Sequence, residues 1–477
     1  MKQRRQYRKI KVKKALSPPA DAAPRRSSSD RFVSALRIID RNLVIFFIIL
    51  IAFLLFGTHI TLNFQKDWPA YFQLQHLNPD AKLYYSLAQN IVDGTGYFDT
   101  LRNDQIIPPI GHPLLLALLC IKLGLSPATF SWLLLSAAFI IFAVAIRIYT
   151  GSNIFVVGSL WLYGSFFAYI RWLSANIEAS IVIANVLLIL SLALLYRSNF
   201  RFALALMAGT ALAVHILIRP LYLLPTHFCL LMLLGVFLYR HFRKYKVSKS
   251  QQLKAWLVIL LTAECLVWLT YAYSYFRYHD SRFVTGTYGA FALYAGNNIY
   301  LSPDEPFITK EKYPEEFWKI LHISRNNPAI TWQQRHKIMT NEVINYWKKY
   351  PLRALAGWWW RFRQFLGICS GNFAWKNRLS VLHTFTVSSL LILSLVQVIA
   401  MLRRKSGIIA SLGFLCAILF FVYSGVHAIF AYCEFRYVTV TIPLLVAADV
   451  LLVFDVLQIW SKEIFYIVSS DRKSVDG

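Results

Sequence analysis

The sequence predicts an all-α, polytopic membrane protein with about ten transmembrane helices and with amphipathic interfacial helices in two outer loops. Of its 477 residues, 57% are hydrophobic and only 15% are charged, whereas a soluble protein is about a quarter charged. The aromatic share is 16%, and tyrosine and tryptophan concentrate where a bilayer meets water. Apolar runs of about 20 residues, the length that crosses a bilayer, recur along the chain. Buried helices of soluble proteins rarely reach this length repeatedly, so the pattern excludes a soluble fold.

The predicted spans follow these apolar runs. They lie at residues 43–63, 127–149, 153–170, 174–196, 202–218, 220–239, 253–274, 381–402, 407–430 and 437–460. The pair at 202–239 is either two spans or a re-entrant pair, because Arg219-Pro220 interrupts the apolar run and proline ends a helix. A long polar tail precedes the first run, unlike the short leader of a cleaved signal peptide, so we expect a retained anchor.

The positions of the cations predict the orientation. Residues 1–42 carry 13 Lys or Arg and three Asp, and Arg240 to Lys254 holds six cations and no acid. With Arg403, Arg404 and Lys405, these segments fall on one side of the predicted spans, which the positive-inside rule makes cytoplasmic. The net charge of +27 lies largely in such juxtamembrane segments. Attraction to anionic lipid explains it, and no fold signature supports nucleic-acid binding.

This orientation divides the chain into five parts. They are a basic cytoplasmic tail predicted to be disordered (1–42), an N-terminal transmembrane core (43–274) with an outer loop (64–126), an outer-loop subdomain (275–380), C-terminal transmembrane helices (381–463) and a cytoplasmic tail (464–477). The six cysteines show neither a CxxC pair nor a Cys/His metal spacing, so no metal-binding residues are predicted from them. A disulfide between Cys369 and Cys433 stays open, because both are expected outside.

The outer loops contain three predicted helical regions. The apolar stripe of Leu83, Tyr84, Leu87, Ala88 and Ile91 predicts a short amphipathic helix from Asp80 to just before Gly94. Pro113 to Gly124 is too short to span and is typical of a second interfacial helix. The region from Pro314 to Phe365 has helical spacing and includes Trp358-Trp359-Trp360-Arg361, an aromatic and basic run typical of a helix at the membrane surface.

Several segments carry a family resemblance in their order and spacing. They read NPDAKLYYSLAQNIVDGTGYF, PPIGHPLLLALL, NIEASIVIANVLLILSLALL, HILIRPLYLLP, FALYAGNNIYLSPDEP and HAIFAYCEFRYVTVTIPLLVAADVLL. Together they resemble the GT-C superfamily of integral-membrane glycosyltransferases, and most closely the bacterial relatives of protein O-mannosyltransferase and of lipid A aminoarabinose transferase. The resemblance covers roughly residues 43 to 300 and 340 to 455 and leaves 301–340 unmatched.

The resemblance implies an activity and a place. Such enzymes transfer a sugar from a polyprenyl-phosphate donor to a lipid, glycan or protein acceptor, with inversion at the anomeric carbon. The expected location is a bacterial inner membrane, with the active site facing the periplasm or exterior and membrane lipids as partners. By this resemblance Asp80 matches the acidic residue of the first outer loop, the catalytic base. Ala81 stands where some members have a second acid, and the need for a divalent metal stays open.

The chemistry explains why these residue types are needed. A carboxylate near the acceptor takes its proton, and an apolar setting that raises the carboxylate pKa makes it a better base. The planar guanidinium of arginine donates paired hydrogen bonds to phosphate oxygens, and it keeps its charge when it is partly desolvated. Arg436 is expected at the outer end of the last span, where it suits the donor phosphate, and His427 and His112 are further candidates. Glu178, Arg219, Tyr84, Tyr437 and Asn297 complete the predicted substrate-binding set.

Each candidate also has a structural interpretation. An aspartate before a helix caps free backbone N–H groups, an acid on an apolar helix contacts interface water, and an Asn pair after glycine is ordinary turn chemistry. For function, a lipid-linked-sugar flippase or another transporter is the first alternative, although the chain lacks the internal repeat typical of transporters. A non-catalytic assembly subunit is the second.

Overall fold

The computed structural model describes eleven stretches of the chain. They are residues 79–97, 108–125, 127–167, 176–242, 251–278, 288–300, 314–321, 329–366, 378–404, 411–430 and 440–475. These stretches contain helices and no strand, and all belong to one unit, Ile49–Gly477. The predicted tail 1–42 and the predicted first span 43–63 lie outside them.

The described helices are numbered here in chain order. They are α1 (Pro79–Asp93), α2 (Gly111–Leu116), α3 (Pro127–Thr150), α4 (Asn153–Phe167), α5 (Asn176–Arg197), α6 (Phe202–Ile218), α7 (Leu223–Phe242), α8 (Gln251–Tyr278), α9 (Tyr288–Gly296), α10 (Glu315–Leu321), α11 (Trp332–Lys349), α12 (Pro351–Phe365), α13 (Arg378–Arg404), α14 (Leu412–Phe430) and α15 (Ile442–Val475). A π-helical turn, Ala117–Lys122, continues α2, and a 3-10 turn, Pro220–Tyr222, precedes α7.

Six of the described helices are long and apolar enough to cross a membrane, so the protein is a multi-pass membrane protein. The crossing segments are Leu133–Thr150, Ala179–Arg197, Pro220–Tyr239, Gln251–Phe276, Leu382–Ile399 and Leu412–Ile429. At two other predicted spans the helices are shorter, with 15 residues in α4 and 17 in α6. At 437–460 the structure has α15, whose described helix begins at Ile442. The count of ten spans stays a prediction.

Helix α5 is the centre of the bundle. It packs against α3 and α6, and 78% of its crossing segment is buried, against 11% for the crossing segment that contains α7. Helices in lipid approach closely where side chains are small. At Gly209 of α6, an added Cβ would lie 2.6 Å from the carbonyl oxygen of Ile259 in α8. Apolar packing and this close contact fix the helices that carry the polar residues described below.

A polar cluster ties three helices together at one end of the bundle. The Tyr149 hydroxyl of α3 donates to Asp455 Oδ1 of α15 at 3.1 Å. Ser411, just before α14, donates to the other carboxylate oxygen, and the backbone N–H of Leu412 donates to Tyr149 Oη at 3.3 Å. The carboxylate and the phenol thus bond the Ser411 hydroxyl and the Leu412 N–H at the start of α14. Stabilisation of this helix end is a structural explanation for the cluster.

The opposite end is defined by a break between α6 and α7. Arg219 has an extended backbone (φ −148°, ψ 107°), and Pro220–Tyr222 forms the 3-10 turn. Proline cannot continue the hydrogen bonding of α6, so the helix stops and a second helix starts. We call this end of the bundle the distal end. The distal end contains the start of α7, whereas the basic segment that begins at Arg240 is at the other end of that helix.

Candidate functional site

Helix α1 begins one residue earlier than predicted. It starts at Pro79, which places Asp80 in the first helical turn and not at the predicted N-cap position. Proline suits the first helical position, because its fixed φ is already helical and its missing N–H would have no partner there. A carboxylate in the first turn is stabilised by the helix dipole. The helix ends at Asp93, before Gly94 with φ +68°, as predicted.

The Gly-Tyr and Pro-Pro pairs of the predicted first outer loop meet in space. The Tyr97 hydroxyl is buried and donates to the carbonyl oxygens of Pro108 and Pro109, at 2.9 and 3.1 Å. The ten residues between these pairs lie outside the described ranges. The contact nevertheless shows that Tyr97 joins the end of α1 to the start of α2.

Among the described residues of this loop, His112 is a fully enclosed polar residue. Its side chain is fully buried, and Nδ1 lies 2.9 Å from Ser180 Oγ of α5. The Tyr84 ring of α1 meets the imidazole edge-on at 4.9 Å between centroids, and Phe130 of α3 lies at 6.2 Å. Nε2 has no hydrogen-bond partner among the described residues. The imidazole therefore has one nitrogen held by the protein and one available for a further bond.

Gly111 brings this histidine against α6. An added Cβ at Gly111 would lie 2.6 Å from the backbone nitrogen of Ile218, so only glycine permits this approach. In the chain, His112 directly follows Gly111, and Arg219 directly follows Ile218. The predicted candidates of the first outer loop and of the Arg-Pro pair therefore belong to one region at the distal end.

The buried imidazole of His112 is neutral at physiological pH. Burial lowers its pKa from 6.5 to about 3, because a charged ring would lose its hydration. At Nε2 it can donate or accept one hydrogen bond, according to which nitrogen holds the proton. It is therefore suited to orient a polar group and unsuited to supply a positive charge.

We expect His112→Asn to remove part of the acid sensitivity of the fold. Below pH 6.5 the unfolded chain takes up a proton at this histidine, whereas the folded chain does so only near pH 3. The wild type should therefore lose about 2 kcal/mol more unfolding free energy than the variant between pH 7 and pH 5. Unfolding of both proteins in the same detergent measures this, and the other buried histidines cancel. Parallel pH dependence of the two proteins would contradict the buried, neutral state.

A second buried group links α6 to α14. The His215 ring lies 4.7 Å from the ring of Tyr222 and 6.1 Å from that of Tyr423. Tyr423 stacks on His427 at 6.1 Å, and Phe365 of α12 meets His427 edge-on at 5.0 Å. All five side chains are buried. His427, predicted to bind substrate, therefore lies inside a row of aromatic and imidazole rings.

Arg219 lies at the end of this row. It follows α6 directly, is half-buried, and its backbone N–H donates to the carbonyl oxygen of His215 at 2.8 Å. The structure thus brings Arg219 to the same region as His112 and His215.

Asn297 follows α9 and lies at a junction with α11, α12 and α14. Its Nδ2 donates to the carbonyl oxygens of Leu293 and Ile429, at 2.9 and 2.6 Å. Its Oδ1 accepts from Trp347 Nε1 at 3.1 Å and from Arg361 at 3.5 Å. The amide is buried and bonded on both sides within the protein. Its predicted role in substrate binding stays a prediction.

Four predicted site residues fall wholly or partly outside the described part of the structure. Arg436 and Tyr437 lie in 431–439, outside the described ranges. Asp80 and Glu178 lie on described helices, α1 and α5, but their side chains are not described. The structure fixes both ends of the segment that holds Arg436, since α14 ends before it and Asn185 Nδ2 of α5 donates to the Val440 carbonyl oxygen after it at 2.7 Å.

Sequence reasoning missed several residues of this region. His215 and Tyr222 were within the HILIRPLY segment, and a histidine on an apolar helix, four residues before an arginine, was the available signal. Arg361 was interpreted as part of a surface helix, but the structure buries it. Among the described residues, no group of three or more His, Cys, Asp or Glu side chains could hold a metal ion.

Comparison of the chain with family models, with curated proteins and with solved structures gave no match.

Proposed function

We propose that this protein is an inverting glycosyltransferase that moves a sugar from a polyprenyl-phosphate donor to an acceptor at the distal end of the bundle. The observation that carries the proposal is the enclosed imidazole of His112, whose Nε2 has no hydrogen-bond partner in the described part of the chain and which lies in a region shared with Arg219. Buried polar atoms in proteins are almost always bonded. A nitrogen without a partner among the described residues, in the same region as an arginine, is what a polar ligand such as a phosphate or a sugar hydroxyl would satisfy.

The helices that meet here also carry the residues expected to react. Helix α1 packs against α2 and has Asp80 in its first turn, and α5 carries Glu178 two residues before Ser180, the partner of His112. Segment 431–439, with Arg436, joins α14 and α15, which both pack in the same bundle. A carboxylate, a neutral imidazole and cations at one membrane face suit transfer from a lipid phosphate.

The proposed reaction is a single displacement. An acceptor hydroxyl oxygen forms a bond to the anomeric carbon while the bond from that carbon to the phosphate oxygen breaks. The Asp80 carboxylate takes the hydroxyl proton, and polyprenyl phosphate leaves with the electron pair. Arg436 and Arg219 offset the negative charge on the departing phosphate. One displacement inverts the anomeric configuration.

The direct test is release of sugar from its lipid. Purified protein in lipid nanodiscs is given a polyprenyl-phosphate sugar with a radiolabelled sugar and a mixture of candidate acceptors. Label that leaves the polyprenyl phosphate supports the proposal. Movement of intact labelled lipid between bilayer leaflets, with no release, would favour a flippase. Retention of all label with no movement across several sugars would favour a non-catalytic subunit.

We expect a distinct labelling pattern if the distal end faces outward. A cysteine at Gly286 should react with a membrane-impermeant thiol reagent added to intact cells, whereas a cysteine at Lys246 should not. The reason is the concentration of cations around Lys246, which the positive-inside rule assigns to the cytoplasm. Reaction at Lys246 alone would place the distal end in the cytoplasm and remove the polyprenyl-donor proposal.

A further inference from the structure

Helix α12 buries two polar side chains and exposes a row of large apolar ones. On its buried side, Arg361 and Gln364 are only 3% and 5% exposed. On the opposite side, Leu352, Leu355 and Trp359 are 80%, 51% and 50% exposed, and their spacing of three and four residues places them on one face. A helix that faces water normally has the reverse arrangement. We call Leu352, Leu355 and Trp359 the α12 stripe, and it requires an apolar partner.

Helix α11, which directly precedes α12, has the ordinary arrangement. Its exposed side chains are mostly polar and include Gln333, His336, Lys337 and Asn341. Met339 is buried in the core of the outer-loop subdomain. The exposed apolar face is therefore a property of α12 and does not extend over the whole subdomain. Water suits the outer face of α11, whereas the outer face of α12 needs a different environment.

The contacts of α12 place it at the end of a crossing segment. Trp358 Nε1 donates to the Gly425 carbonyl oxygen at 3.0 Å, and Arg361 Nε donates to that of Ala428 at 2.7 Å. Both carbonyls belong to the last two turns of α14, whose crossing segment ends at Ile429. Helix α12 has 15 residues and is not itself a crossing segment. It therefore lies at the membrane boundary, where an exposed apolar face meets lipid.

Basic side chains accompany the α12 stripe. Residues 343–366 contain five Lys or Arg and no acid. Lys348 and Lys349 at the end of α11 and Arg353 in the first turn of α12 are exposed, and the Lys349 ammonium lies 5.4 Å from the centroid of the Tyr350 ring. The start of a helix also favours a negative charge. Cations beside an exposed apolar face match the headgroup phosphate and the acyl chains of an anionic phospholipid.

We propose that the α12 stripe, with Lys349 and Arg353 at its start, is a docking surface for anionic phospholipid of the surrounding bilayer. The acyl chains contact the three apolar side chains, and the two cations bond the headgroup phosphate. Trp359 suits this position, because tryptophan concentrates where a bilayer meets water. The surface uses no residue of the proposed transfer site, so it stands whether or not the protein releases sugar.

Photo-crosslinking in proteoliposomes identifies what contacts the stripe. Leu355 is replaced by p-benzoylphenylalanine in the full chain, and the vesicles contain phosphatidylglycerol and phosphatidylcholine in equal amounts. After irradiation, mass spectrometry should find phospholipid adducts on the α12 peptide. Phosphatidylglycerol should exceed phosphatidylcholine by about fivefold, the effect of about one cation near the phosphate.

The control for this experiment is the same replacement at His336, which is exposed on α11. It should give few lipid adducts, because that face of α11 is polar. Equal lipid labelling at positions 336 and 355 would overturn the proposal. So would crosslinks from position 355 to a second copy of the chain in place of lipid.

Removal of the cations tests the contact with the headgroup. Lys349→Gln combined with Arg353→Gln should lower the ratio of phosphatidylglycerol to phosphatidylcholine adducts at position 355 to about one, while total lipid adducts persist because the stripe is unchanged. The matched control is Lys337→Gln, at an exposed position of α11, which should leave the ratio unchanged. Each single variant is also measured, in case the double variant fails to fold. A ratio near one with all cations present, or an unchanged ratio in every cation variant, would overturn the proposal.

Discussion

Asp80→Asn is expected to lower the rate of sugar transfer by roughly 100-fold or more, the usual contribution of a general base. The substitution keeps the size and one oxygen of the side chain but removes the negative charge and the proton acceptor. The acceptor hydroxyl would then have to lose its proton to water while it attacks. No other single substitution in the outer loops is expected to affect kcat as much.

The position of Asp80 in α1 makes asparagine the appropriate replacement. Because α1 begins at Pro79, Asp80 lies in the first turn, where its charge also stabilises the helix dipole. Loss of that charge costs about 0.3–1 kcal/mol, too little to unfold a helix whose Leu83, Leu87 and Ala88 are buried. Folding should therefore survive while transfer fails.

The measurement is turnover of a polyprenyl-phosphate sugar at matched protein levels, together with a thermal melt. Glu316→Gln is a suitable control, since it makes the same carboxylate-to-amide change at an exposed position of α10. Near-normal turnover in Asp80→Asn would leave Asp80 with a purely structural role, and the base would have to be sought at Asp93, Asp99, Asp104 or Glu178. If no carboxylate substitution matters, the protein is not this enzyme.

The sequence was informative where a local pattern determines local structure. The apolar stripe and Gly94 predicted both the buried face and the end of α1, because a helix ends readily at a residue with positive φ. Gly124, with φ +70°, likewise ends the second outer-loop helix. The break at Arg219-Pro220 follows directly from the chemistry of proline. The multi-pass class follows from the length and composition of the apolar runs.

Contacts between residues far apart in the chain could not be predicted from such local patterns. The run Trp358-Trp359-Trp360-Arg361 has the composition of a surface helix, and Trp359 is indeed 50% exposed. Arg361 is buried because its acceptor is the end of α14, 67 residues later, and no local pattern specifies that partner. The π-helical turn at Ala117–Lys122 likewise has no sequence signature. The contact between His112 and Ser180 depends on packing between α2 and α5, and the two residues are 68 positions apart in the chain.

Arg436→Lys and Arg436→Ala are expected to weaken donor binding in two steps. Lysine keeps the charge but loses the planar fork that bonds two phosphate oxygens, so donor affinity should fall by about tenfold. Alanine removes the charge as well, and charge-assisted hydrogen bonds are worth about 1.5–3 kcal/mol each, so affinity should fall by about 100-fold. Folding should survive, because α14 and Val440 on either side are held by Asn297, Arg361 and Asn185.

Titration of detergent-solubilised protein with a fluorescent polyprenyl phosphate, at two salt concentrations, measures both steps. Arg404→Ala is the matched control, since it removes a cation at the end of α13, in the predicted cytoplasmic segment. The losses at Arg436 should exceed those of the control at both salt concentrations, because a direct hydrogen-bonded contact with the phosphate is screened less than attraction from a distant surface charge. Equal affinity in the wild type and in both Arg436 variants would make Arg436 a membrane anchor. The donor phosphate would then have to be bound by Arg219, a cation that the structure brings to the same region as His112.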